Sequence, residues 1–114
     1  MSIKVIPPWM SFEQALRLGH VGRMECEGYT KWVKSLPCVA SQMPADDPHH
    51  PVNVGFKGTG TKVPDFWCIP LTREQHDLLH HSVATWEDKN GEQMHHALMT
   101  LTRAIYEGKL VWKG

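Results

Sequence analysis

Between Cys38 and Pro70 the chain is interrupted by Pro44, Pro48, Pro51 and Pro64 and by Gly55, Gly58 and Gly60, and no regular helix can run through it. Proline lacks the N–H that an interior helical turn must donate, and glycine costs about 1 kcal/mol there relative to alanine. The stretch must therefore be loop with short strands. Extended pieces are expected at residues 49–54 and 66–71, joined by the loop "GFKGTGTKVPD".

Helical periodicity holds on both sides of this stretch. The Pro7-Pro8 pair makes residues 1–10 an extended arm. Ser11 with Gln14 resembles a capping box, and Phe12, Ala15, Leu16 and Leu18 follow at roughly helical spacing until Gly19. Tyr29, Trp32, Val33 and Leu36 predict a second helix over residues 28–35, stopped by Pro37. Thr72 is a good N-cap for "REQHDLLHH", with Glu74 in the first turn. After the turn signal Asn90-Gly91, residues Met94, Ala97, Leu98, Leu101 and Ile105 share one face of a helix that closes at Gly108. At 114 residues one core is the expectation: a small α+β domain with a helical part at 11–36, a strand–loop–strand–helix unit at 37–86 and a C-terminal helix at 91–108.

Twelve basic and twelve acidic residues give a formal charge of zero. That excludes a uniformly basic surface, so any contact with phosphate has to come from local Lys and Arg clusters. No apolar run approaches the roughly 20 residues needed to span a bilayer, and no leader pattern opens the chain. Cys26, Cys38 and Cys68 are odd in number and widely spaced, a poor disulfide framework that points to small buried residues in a reducing compartment. The expected location is the cytoplasm.

Five of the eight histidines fall within residues 45–81. His76 and His80 are four apart, so on a helix they stand on one face and can converge on one ion. Folding the strands back against that helix brings His49 to the pair as a third imidazole. Three neutral imidazoles suit a borderline transition metal such as Zn, Ni, Mn or Fe and leave coordination positions open. His50 points away from His49 on a regular strand, unless the flanking prolines disturb it. An imidazole free of the ion but beside a bound phosphate can take a proton from an attacking water, which makes His50 the candidate base.

The segment "DPHHPVNVGFKGTGTKVPDFWCIPLTREQHDLLHHSVATW" resembles the core of HNH nucleases, the ββα-metal group, and within it phage and prophage proteins of the recombination-enhancement (Ref-like) kind. The likeness covers roughly residues 36–86 and rests on "HH", "GTGTK", "IPL" and "H-x-x-x-H" in this order. It implies a ββα-metal core, with His49, His76 and His80 holding one divalent ion (Zn, Mg, Mn or Ni) and His50 as general base. The middle Asn of the HNH pattern is absent from "DFWCIPL", and the resemblance assigns its orienting role to Asp65. Only Cys38 remains where relatives carry paired zinc-knuckle cysteines. The implied activity is metal-dependent endonucleolytic hydrolysis of DNA, with Lys57 and Lys62 of the glycine loop on phosphate and a recombinase filament or other DNA-processing protein as a further partner. Arg17, Arg23, Lys31 and Lys34 give the N-terminal helices a modest positive excess that can add backbone contacts.

Blander readings stand beside these. His95 and His96 fit a solvated helix face, and His81 is turned off the shared face of His76 and His80. The five tryptophans are more often core than base-stacking platforms. A noncatalytic DNA-binding module that keeps its metal for structure, or an inactive partner-binding protein, is the rival function.

Overall fold

The computed structural model describes residue 1 and residues 9–54 and 63–111. These form a small α+β domain of five helices and one two-stranded antiparallel sheet. The strands are β1 (Asp47–His49) and β2 (Ile69–Leu71), and the helices are α1 (Phe12–Arg17), α2 (Glu27–Lys34), α3 (Arg73–His81), α4 (Val83–Asn90) and α5 (Gln93–Tyr106). Short 3₁₀ turns occupy Val21–Arg23 and Asp65–Trp67.

The sheet pairs Asp47 with Leu71, Pro48 with Pro70 and His49 with Ile69. Two prolines thus face each other in one ribbon. The carbonyl of Pro70 accepts from the Val39 N–H at 3.1 Å on the far side, so the backbone groups of that residue point out of the ladder and its missing N–H breaks nothing. Every residue of β2 is buried. Ile69 and Leu71 pack with Cys38, Leu79, Trp86 and Ala97, while the preceding Cys68 packs with Cys26, Tyr29, Val33 and Ala104. The short strand therefore joins two apolar clusters, one under α3 and α4 and one under α2 and the end of α5. All three cysteines are buried and none forms a disulfide.

Both strands are shorter than the sequence predicts. The expected extended run at 49–54 is Asp47–His49 instead, because Pro51 supplies no N–H and Asn53 adopts the left-handed conformation at φ 62°. The run expected at 66–71 keeps only Ile69–Leu71. Its first half coils into a turn in which Trp67 N–H and Cys68 N–H donate to the carbonyls of Pro64 and Asp65.

Caps behave as their residues dictate. The Ser11 and Thr72 hydroxyls accept from the N–H groups of Gln14 and Gln75. Ser82 then divides the helical segment after Thr72 in two, closing α3 and capping α4 through the Thr85 N–H. The C-terminal helix is turned relative to the predicted face. Gln93, Ala97, Thr100 and Ala104 are buried, whereas Leu98 and Ile105 are 61% and 59% exposed. At 100° per residue this is roughly a quarter turn. Small residues let the helix lie close against β2, and the Gln93 amide is drawn inward by polar partners described below.

Among the described residues no helix is long and apolar enough to cross a membrane.

The burial pattern separates Leu79, which is fully enclosed, from Leu98. Leu79→Ala is expected to lower unfolding free energy by about 2–5 kcal/mol, and Leu98→Ser to change it by no more than about 0.5 kcal/mol. Urea denaturation followed by tryptophan fluorescence measures both.

Candidate functional site

His49 closes β1, and α3 packs against that strand with His76 and His80 on consecutive turns. One nitrogen from each of the three lies within 4.8 Å of the others. The ring centroids are 4.8 Å (His49–His76), 5.4 Å (His49–His80) and 4.7 Å (His76–His80) apart. His49 is buried, His76 half-buried and His80 exposed. The cluster therefore reaches from the core to the surface, where a hollow of about 490 Å³ is lined by Asp47, Arg73, His76, Asp77 and His80.

Hydrogen bonds assign the nitrogens. His49 Nε2 is 2.9 Å from Gln93 Oε1, an acceptor, so that nitrogen carries the proton. Its Nδ1 is buried and has no hydrogen-bond partner among the described residues. Burial pushes the imidazole down to about 4, which keeps it neutral near pH 7. His76 Nδ1 lies 2.9 Å from Asp47 Oδ2 and donates to it, leaving Nε2 free. Asp47 is in turn gripped by Arg73 through two bonds of 2.8 and 2.9 Å. The Arg73 guanidinium, with His76 adding to it, holds the Asp47 carboxyl down to about 2. Carboxylate-to-imidazole support of this kind orients metal-binding histidines.

This arrangement fits a divalent ion. An orphaned buried imidazole nitrogen costs about 1–3 kcal/mol when nothing meets it. Here the orphan belongs to a ring that lies at ligand spacing from two more imidazoles, a donor set suited to Zn, Ni or Co rather than to Mg, which prefers oxygen.

The next residue turns the other way. His50 Nε2 lies 2.8 Å from Asp65 Oδ1, and the other carboxylate oxygen accepts from the Cys26 N–H at 2.8 Å. The Asp65 N–H donates to the Met24 carbonyl. Asp65 is buried and fixed at both ends, so it holds the His50 ring by one nitrogen and leaves Nδ1 as the proton acceptor.

Lys57 and Lys62 lie outside the described residues. His81 lines a separate hollow of about 200 Å³ with Leu78, Thr85 and Lys89. His96 Nε2–H donates to the Asn90 carbonyl at 2.7 Å. Three supporting residues were not foreseen. Asp47 and Arg73 were visible only as the acidic pair before "HH" and a basic residue after a cap, and Gln93 gave no signal because its partners are 44 and 41 residues away.

A family model described as "Protein of unknown function (DUF968)" matches residues 10–108. The chain belongs to this family. Over 110 residues it is also 41% identical to "Uncharacterized protein YdfU" of Escherichia coli (strain K12), an alignment that takes in 96% of this chain and 31% of that protein. The chain thus spans about a third of the length of that relative. No solved structure matches it.

For this DUF968 domain the two shifted groups set two pH windows. His49 is lowered from 6.5 to about 4, so the unfolded chain binds a proton there before the folded one does. Its share of stability is whole above about 6.5 and is lost as pH falls toward 4. Asp47, lowered from 3.8 to about 2, adds a second loss below that range. In metal-free protein, unfolding free energy plotted against pH should fall less steeply between about 6.5 and 4 in His49→Asn than in the parent. Asp47→Asn should flatten the region below about 4.

Proposed function

We propose that this chain is a metal-dependent DNA endonuclease of the HNH type, with a ββα-metal core formed by β1, β2 and α3. The observation that carries this reading is one pair of adjacent residues serving two neighbouring centres. His49 joins His76 and His80 at ligand spacing, and His50 is fixed on the buried carboxylate of Asp65.

His49, His76 and His80 would hold one divalent ion, through Nδ1 of His49 and Nε2 of His76. A divalent ion in such a site supplies a Lewis acid for a phosphate oxygen and the leaving 3′-oxygen. The chain's own residues do the rest. His50, with Nε2–H donated to Asp65, would take a proton from water at Nδ1, and the Asp65 carboxylate would steady the imidazolium that results. Asp65 thereby performs the orienting work that an Asn carbonyl does in the HNH pattern, with a full negative charge. Asp47 and Arg73 keep His76 pointed into the hollow. Lys57 and Lys62 are assigned to phosphate contact on the strength of the sequence alone.

The test is nicking of supercoiled plasmid by chelator-treated protein with Zn, Ni, Mn, Co or Mg added back. The parent is expected to nick with at least one ion. His50→Ala should cut the rate by about 10²–10⁴-fold while metal binding persists. Asp65→Asn, which keeps the shape but not the charge, should lose less than His50→Ala and shift the pH dependence of the rate. A parent inactive with every metal on supercoiled, linear and single-stranded DNA favours the rival, a noncatalytic metal-containing module for DNA or for a recombination partner.

A further inference from the structure

Gln93 is a fully buried polar residue at the first turn of α5, and all four hydrogen-bonding positions of its amide are occupied. Oε1 accepts from the Val52 N–H at 3.0 Å and faces His49 Nε2 at 2.9 Å. Nε2 donates to the Val52 carbonyl at 2.9 Å and approaches Glu87 Oε2 at 3.5 Å. The Gln93 backbone N–H is held by the same Glu87 oxygen at 2.9 Å.

An amide side chain can be turned over by exchanging its O and N, and the two ends usually cannot be told apart without partners. Val52 removes the ambiguity. A backbone N–H can only donate and a backbone carbonyl can only accept, so the amide oxygen must face the first and the amide nitrogen the second. Glu87 on the nitrogen side enforces the same choice. The atom turned to His49 is then an obligatory acceptor, and a neutral imidazole facing it must carry its single proton on Nε2. The lone pair is left on Nδ1, the buried atom with no partner among the described residues.

We propose that Gln93 is a positioning residue that selects the tautomer of His49 and so makes Nδ1 its ligating nitrogen. The assignment rests on the metal reading given above and deepens it. Asp47 plays the corresponding part for His76 with the nitrogens reversed, since there Nδ1 is engaged and Nε2 is free. The two rings are thus set from opposite sides, one by a neutral amide inside the core and one by a carboxylate at the hollow. A neutral amide is suited to the buried side, because a carboxylate at position 93 would bring a second negative charge against Glu87.

Uniformly ¹⁵N-labelled protein, stripped of metal near pH 7, gives the tautomer of each imidazole from long-range ¹H–¹⁵N correlations, with His49 assigned by its absence in His49→Asn. The expected result is an unprotonated Nδ1 and a protonated Nε2 on His49. Co²⁺ is then titrated by its visible absorption into the parent and Gln93→Met. The methionine variant, which has no acceptor for His49, should bind Co²⁺ about 10–100-fold more weakly. A proton on His49 Nδ1 in the parent overturns the assignment even where Gln93→Met does not fold. Unchanged Co²⁺ affinity in Gln93→Met, with the parent loaded, overturns the assignment alone. A parent that binds neither Co²⁺ nor Zn²⁺ overturns the metal reading and the assignment with it.

Discussion

Three residue pairs between β1 and β2 hold the arrangement on which the rest depends. Because β2 is buried throughout and is followed directly by Thr72 and α3, whatever pairs with β2 is delivered to the flank of that helix. Asp47 and His49 stand two residues apart on β1 and so emerge on one face of it. That face meets His76 on α3: Asp47 reaches its Nδ1, and His49 approaches its ring edge. A slip of one residue would instead present Pro48 and His50 to the helix and dismantle both contacts. Short as it is, the ribbon is held in register by Ile69 and Leu71 in the apolar cluster and by the Val39 N–H on the outer carbonyl of Pro70.

The order that brings the histidines together was legible because it is local. His76 and His80 follow from helical spacing after a recognisable cap, and the "HH" pair with a proline on each side reads as extended chain. The approach of Asp65 to His50 was suggested by resemblance to a known pattern, and the two side chains meet at 2.8 Å. What could not be read was contact at long range. The amide of Gln93 crosses from α5 to Val52, and the carboxylate of Asp65 crosses to the Cys26 N–H, 39 residues away. Such bonds depend on how helices dock, which a hydrophobic period constrains only through area. The turned face of α5 is the same lesson. The period places Leu98 and Ile105 inward, but the space beside β2 accepts Ala97 and Ala104, and a buried amide with four partners offsets lost burial of two apolar side chains, about 1.5–3 kcal/mol each at most.

The polar network around His49 also explains how a charged centre can be prepared inside so small a domain. Buried charges are expensive, and a carboxylate at the inner position would have needed a partner of its own. At that inner position stands instead a neutral imidazole, its neutrality enforced by burial and its proton directed to a neutral amide. The carboxylate bonded to the cluster, Asp47, sits nearer the surface and is matched by Arg73. Cost therefore rises with depth, and the groups are ordered accordingly.

This ordering bears on what a cation in the hollow would attract under the proposed reading. Three imidazoles contribute no charge, and Asp47 is balanced by Arg73, so a divalent ion would keep much of its charge at the mouth of the site, where among the described residues the solvent-exposed carboxylate of Asp77 tempers it. A centre built from carboxylates would have spent that charge on its own ligands. The retained charge favours an anionic group from outside, and in a chain of zero formal charge it would be the strongest local source of positive potential available to a phosphate. Under that reading neutral ligands, a compensated support and a neighbouring base on a separate carboxylate would be parts of one electrostatic division of labour, since the carboxylate of Asp65 that meets His50 is bound to the Cys26 N–H and not to the three clustered histidines.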